Sequence, residues 1–190
     1  MKYNKSLLIS QGRNLTPDDF VFFWGHEDRS KGMSKICLSQ WFQYPFMVDD
    51  QYYNCAEQYM MAEKARIFGD EEMRQQIFAE YNQMAMKKLG RKVRNYNDIT
   101  WKEKRFDVVV KGNIAKFSQN EKLLNYLLST GEKILVEASP KDTVWGIGLD
   151  ESSPEAIQPR KWKGENLLGF ALMEVRNILK NNKNEQEIYP

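Results

Sequence analysis

The chain has 190 residues, with 28 lysines and arginines against 26 aspartates and glutamates, a single histidine and two cysteines. At this length one compact domain is the default, burying roughly 70% of the surface that the unfolded chain exposes, and 42% hydrophobic with 28% charged residues is a globular composition, neither disordered nor fibrous. The balanced charge excludes coating of nucleic acid through a broad basic field; Cys37 and Cys55, with no third cysteine, exclude a zinc knuckle or a disulfide framework; and the solitary His26 excludes a histidine-rich metal centre.

The apolar run Leu7-Leu8-Ile9 is too short for a signal peptide, and no apolar stretch approaches the ~20 residues that span a bilayer. The expected setting is cytoplasmic, without membrane, metal or cofactor, and with both cysteines as buried thiols. Short aromatic and β-branched runs at Phe20 to Trp24, Ile36 to Leu38, Trp41-Phe42 and Phe46 to Val48 predict strands. Asp49-Asp50 predicts a hairpin turn into Gln51-Tyr52-Tyr53. Helical spacing then sets in, with Asn54 as the expected cap of a helix reaching Phe68, Asp70 capping a second through Ala79, and a third from Asn82 to Leu89. Asn97 or Asp98 caps a long helix with an inward stripe of Phe106, Val109, Val110, Ile114 and Phe117, and another helix follows from Asn120 to Ser129. Lys133 to Ala138 predicts a strand, Val144 to Gly148 an extended segment, and Asn166 to about Asn181 a final amphipathic helix. The fold class expected is α+β: a single helix-dominated domain over residues 1–179 with a small β-sheet, then a frayed tail over 180–190.

Phosphate loops are absent: no P-loop motif occurs, and Gly146-Ile147-Gly148 carries Glu151 where a dinucleotide fingerprint needs its third glycine. The segment Asn54 to Arg66 is more informative. Seven residues turn a helix through roughly 700°, so Glu57 and Lys64 leave nearly the same face, roughly 10 Å apart along the axis. A carboxylate and an amine converging on one ligand is one reading; a capping-box glutamate and a solvated lysine is the other. The five tryptophans, several beside glycine or lysine, suit stacking on a heteroaromatic base, or simply a core. Asp142, in the Pro140-Lys141-Asp142 turn after a strand, suits a ribose hydroxyl or an acid, or ordinary turn chemistry.

Several motifs in order carry a resemblance: Phe23-Trp24-Gly25 and Leu38-Ser39-Gln40-Trp41; Ala56-Glu57-Gln58-Tyr59 running to Lys64; Gly90-Arg91 and then Trp101; Lys116 to Asn120; Leu127 to Gly131; Glu137 to Asp142 with Trp145 to Gly148; and Trp162 to Gly169 with Leu172-Met173-Glu174-Val175-Arg176. Together they resemble the YbiA-like, or NADAR, family from about Phe22 to Leu179. The resemblance implies a YbiA-like fold and hydrolysis of an N-glycosidic bond between a phosphorylated ribose and an exocyclic amine, in riboflavin-pathway ribosylamino-pyrimidine phosphates or in ADP-ribosylated guanine. The implied partner is thus a phosphorylated nucleotide-like small molecule or an ADP-ribosylated nucleic acid.

Glu57 is then the expected general acid–base and Lys64 a Schiff-base nucleophile, made neutral by burial against Tyr59 and Phe117. A two-carboxylate route through Glu57 and Asp142 competes with it. By motif position, Trp24, Trp101 and Trp145 become pocket walls, and Arg91, Lys116 and Asn166 phosphate or ribose contacts; Lys64, Arg91 and Lys116 should be neighbours. Glu57 is expected as an exposed pocket carboxylate that contributes little to stability. The sequence departs from the family pattern at Gln40-Trp41, where Asn-Phe is usual, and at Gln58, where histidine is usual and proton transfer is therefore lost. The alternative reading is a non-catalytic ADP-ribose or nucleotide-binding module; a scaffold lacks the long charged or heptad helix it would need.

Overall fold

The computed structural model describes residues 2–25 and 33–188, so His26 lies outside the described residues. In chain order the elements are α1 (Lys5–Ser10), β1 (Phe20–Phe23), β2 (Phe46–Val48), β3 (Gln51–Tyr53), α2 (Ala56–Ile67), α3 (Glu71–Ala79), α4 (Gln83–Gly90), α5 (Asp98–Ser118), α6 (Glu121–Ser129), β4 (Ile134–Glu137) and α7 (Leu167–Ile188). Two compact units are formed, residues 1–39 with 121–190, called the terminal unit, and residues 40–120.

In the 40–120 unit β2 and β3 form an antiparallel hairpin in the register Val48 opposite Gln51. Asp49 and Asp50 both have positive φ, 50° and 60°, which is the backbone a two-residue hairpin turn requires. α2 is the centre of this unit, packed against α3, α4 and α5. Residues 56–63 are all buried, so these turns of the helix have no solvent face and no strong amphipathic period. α5 approaches it closely at Gly112, where a Cβ would collide with the Tyr59 ring. On α5, Phe106, Val109 and Phe117 are buried as the stripe predicts, but Gly112, Asn113 and Lys116 join them.

The terminal unit is built on β1 paired in parallel with β4, Phe20 opposite Ile134 and Phe23 opposite Glu137, with α7 packed on β4. Leu168, Ala171, Leu172, Val175 and Leu179 form the buried stripe of α7, which packs on β4. Gly169 is required there, because a Cβ would collide with the Leu135 carbonyl. Among the described residues no helix is long and apolar enough to cross a membrane.

Several expectations need correction. Lys35 to Leu38 is a short 3-10 turn and not a strand, capped by Ser34. Trp41 lies in a turn and Phe42 outside any regular element. Residues 143–146 and 148–149 are bends rather than an extended segment, and Asp142 bonds the amides of Val144 and Trp145 within them. α7 runs to Ile188, beyond the Asn181 at which its sequence pattern was expected to end.

Candidate active site

Cys55, not Asn54, is the N-cap of α2, and its side chain makes no capping bond. Gln58 does that work instead. Its Oε1 accepts from the Asn54 amide at 2.7 Å, and its Nε2 donates to the Ile77 and Glu80 carbonyls at 3.0 Å each, tying the start of α2 to the end of α3. The position where a titrating histidine was expected is therefore structural. Gln40 behaves alike: its Oε1 accepts from Asn113 of α5 at 3.0 Å.

Because Gln58 takes the reach-back role, Glu57 is released from the capping-box reading. Its backbone N–H donates to the Gln40 carbonyl at 2.9 Å, and the residue is only 3% exposed. This corrects the expectation of an exposed carboxylate. It sits in the first turn of α2, where the helix dipole favours a negative charge. Lys116 is 0% exposed, its ammonium 5.2 Å from the Phe117 ring centroid and 5.8 Å from that of Phe42. Burial pushes the Cys55 thiol up to about 11; Glu57 pushes in the same direction and Lys116 opposes it, so both charges act on one buried point. Lys116, expected as a phosphate or ribose contact, is fully enclosed, as Glu57 nearly is.

Lys64 leaves α2 for a different place. Its ammonium donates to the Gly90 carbonyl at 2.8 Å, one of the orphan carbonyls at the end of α4. It lies 4.2 Å from the Tyr96 ring centroid and 5.7 Å from that of Trp101. Those rings replace Tyr59 and Phe117 as its enclosure: Tyr59 is five residues earlier, roughly 140° around the helix, and faces α5. Burial lowers the basicity of the amine, and the Arg91 charge lowers it further. The expected grouping of three cations therefore divides, Arg91 acting on Lys64 while Lys116 belongs with Glu57 and Cys55.

Tyr96 is a site residue that sequence reasoning missed. It is 43% exposed, its ring packs edge-on against Phe68 at 5.3 Å, and its hydroxyl donates to Asp98 at 2.9 Å. No local signal marked it, since it lies in the turn before the Asn97 cap and meets Lys64 only through the packing of the unit. Trp101, buried at the start of α5, is a wall of the same amine site.

The terminal unit carries the remaining candidates at the C-terminal ends of β1 and β4. Trp24 follows β1 and is 57% exposed, with Gly25 beside it at φ 88°. Asp142 Oδ1 accepts from the amides of Val144 at 3.0 Å and Trp145 at 2.8 Å, the turn chemistry that aims the half-buried Trp145. Asn166 is buried at φ 55°; its Nδ2 donates to the Leu135 carbonyl at 2.9 Å and its Oδ1 accepts from the Glu137 amide at 3.0 Å. Asn166, expected as a substrate contact, thus latches β4 to the start of α7. Trp162 is core, donating through Nε1 to the Ala156 carbonyl at 2.7 Å.

Residues 22–180 match the NADAR domain family. The mimivirus protein N-glycosidase R617 is 44% identical over 167 residues, 85% of this chain and 97% of that protein. N-glycosidase YbiA of Escherichia coli K12 is 31% identical over 167 residues, 88% of this chain and 92% of that protein, and the NMR structure of E. coli YbiA matches with a TM-score of 0.71 at 28% identity over 90% of each chain. A maize protein named for riboflavin biosynthesis, PYRR, is 39% identical over 77 residues, 40% of this chain and 11% of its own. The departures at Gln40 and Gln58 leave the fold intact because each finds backbone or amide partners, and the chain belongs to the NADAR family.

Proposed function

We propose that this chain hydrolyses the N-glycosyl bond between a phosphorylated ribose and the exocyclic amine of a base, with Lys64 as nucleophile and Glu57 as general acid–base. As a NADAR-family enzyme it is a hydrolase acting on N-glycosyl bonds. The observation that carries the mechanistic reading is the state of Lys64: an amine held by one carbonyl, half-enclosed by two rings and lowered in basicity by burial and Arg91. A lysine nucleophile must be neutral, and both of those influences favour the neutral form.

The steps balance as follows. Glu57, as an acid, protonates the ribose ring oxygen while the lone pair of the exocyclic nitrogen opens the ring to a C1–nitrogen iminium. The Lys64 amine adds to C1, and a proton moves from it to the exocyclic nitrogen. That nitrogen leaves with the C1–N bond pair as the free amine, and C1 remains bound to Lys64 as a Schiff base. Water adds to C1 and gives a proton back to the Glu57 carboxylate, the remaining hydroxyl proton passes to the nitrogen as Lys64 is expelled as the neutral amine, and the ribose aldehyde closes again, so one water is consumed per bond broken. Arg91, exposed beside the amine, suits the phosphate, and Trp101, whose ring lies 5.7 Å from that amine, suits a wall for the base. Asp142 is better suited to positioning Trp145 than to a two-carboxylate route, since one of its oxygens already holds two amides.

The test is borohydride reduction during turnover followed by peptide mapping. The expected result is a reduced ribosyl adduct on Lys64; turnover without any adduct sinks the Schiff-base mechanism. Chromatography of a ribosylamino-pyrimidine phosphate and of ADP-ribosylated guanine DNA, incubated side by side, decides the substrate arm. Saturable binding with both substrates intact would establish the binding-module alternative.

A further inference from the structure

The closing motif around Arg176 has no part in this chemistry, yet it places a buried cation in the wall of two cavities of the terminal unit. Each cavity is about 140 Å³, and Tyr3, Glu132 and Arg176 line both. Arg176 is 5% exposed. Its Nη1 donates to Thr130 Oγ1 at 2.8 Å and to the Lys133 carbonyl at 2.9 Å, holding the turn between α6 and β4. Nη1 is the atom so used, which leaves the Nε and Nη2 donors without a bond among the described residues. Neither is among the sealed side-chain atoms that lack a partner, so both reach accessible surface.

A buried guanidinium is costly unless a counter-charge meets it. Glu132 acts on Arg176 only at a distance, because its carboxylate is ion-paired to Lys180 at 3.1 Å. Among the described residues, one cavity therefore sets Arg176, Lys180 and Lys183 against the single carboxylate of Glu132. Adjacent guanidinium donors form a fork that matches an oxyanion, and the surplus of cations favours a doubly charged one.

We propose that the Arg176 cavity is a binding site for a phosphate group, free or carried by a small molecule, at the end of β4 opposite to Trp145 and Asp142. Arg176 supplies the fixed fork, Lys180 turns from Glu132 to the anion, and Lys183 and the Tyr3 hydroxyl complete the wall. The site uses neither Glu57 nor Lys64, so it stands or falls separately from the proposed reaction.

The experiment is an NMR titration of the nitrogen-15-labelled full chain with inorganic phosphate at about pH 8, where inorganic phosphate is largely dianionic, at ionic strength held constant with chloride. Saturating shifts are expected at the Gly131 and Asn177 amides and at Arg176 Nε–H. Arg176 also holds a turn, so the discriminating variant is the exposed pair Lys180→Glu with Lys183→Glu, whose spectrum should remain folded while phosphate affinity falls about tenfold or more. Shifts no larger than those from chloride, or shifts unchanged in the double variant, overturn the site. Acetate saturating the same signals at equal or lower concentration overturns its assignment to phosphate.

Discussion

Lys64 of α2 and Lys116 of α5 stand on packed helices of one unit, and each ammonium lies over two aromatic rings. Lys116 is sealed from solvent, and together with Glu57 it acts on the buried Cys55 thiol. Lys64 keeps an open side, a single carbonyl partner and a neighbouring cation, Arg91. Aromatic faces favour a charged amine in both places. What separates them is access and charged surroundings: Lys116 is enclosed and acts with Glu57 on one buried thiol, whereas Lys64 is biased by burial and Arg91 toward the neutral amine that attack on a carbon requires.

The largest effect should come from Lys64→Ala, which removes the nucleophile and should lower single-turnover base release by about 10³-fold. The borohydride adduct should vanish with it. If Lys64→Ala retained an adduct and Lys116→Met lost it, the two roles would be exchanged and the comparison broken.

Glu57→Gln should come next, lowering base release by about a hundredfold or more. Because Glu57 is buried and not exposed, the exchange should also lower the denaturation midpoint, by removing a negative charge close to the point on which Lys116 acts. An active variant would place the acid elsewhere. Lys116→Met keeps the volume but deletes a buried charge, and should cost about 3 kcal/mol of stability in chemical denaturation. The fraction that remains folded should still form the Lys64 adduct, since the amine that reacts is untouched.

These contrasts mark how far the residues could be read without coordinates. The hairpin at Asp49-Asp50 and the caps at Asp70, Asn82 and Asn97 were legible because their chemistry is local: a turn or a cap is decided within three or four residues. Glu57 and Lys64 were legible as a pair by helical spacing. Their burial and surroundings were not, because residues 56–63 of α2 are all buried and carry no amphipathic period from which a face can be read. Tyr96 meets Lys64 from 32 positions away along the chain, and only the close packing of α2, α4 and α5 unites them. The latching role of Asn166 was hidden for a similar reason. An asparagine beside Gly164 and Gly169 suits a ligand as well as a latch, and only its two bonds to β4 distinguish these.

The smallest and sharpest test of the comparison is Arg91→Ala. Burial is the larger cause of the lowered basicity of Lys64 and Arg91 the smaller, so the variant should raise the amine's pKa without restoring its ordinary value of 10.5. Activity that needs the neutral amine rises with pH through the folded-state pKa, and the kcat/KM profile reports the free enzyme. Its rising limb should therefore move to higher pH in Arg91→Ala. Salt should move the wild-type limb the same way, because Arg91 is exposed and its field is screened. Stability carries the same sign. Between the lowered folded pKa and 10.5 the unfolded chain binds more protons at Lys64 than the folded one, so this group's contribution to stability rises with pH across that window, and the window narrows when Arg91 is removed. Lys116→Met should leave the limb in place. A limb that ignores Arg91 and follows Lys116 instead would show that the enclosed lysine, and not the open one, governs the reaction.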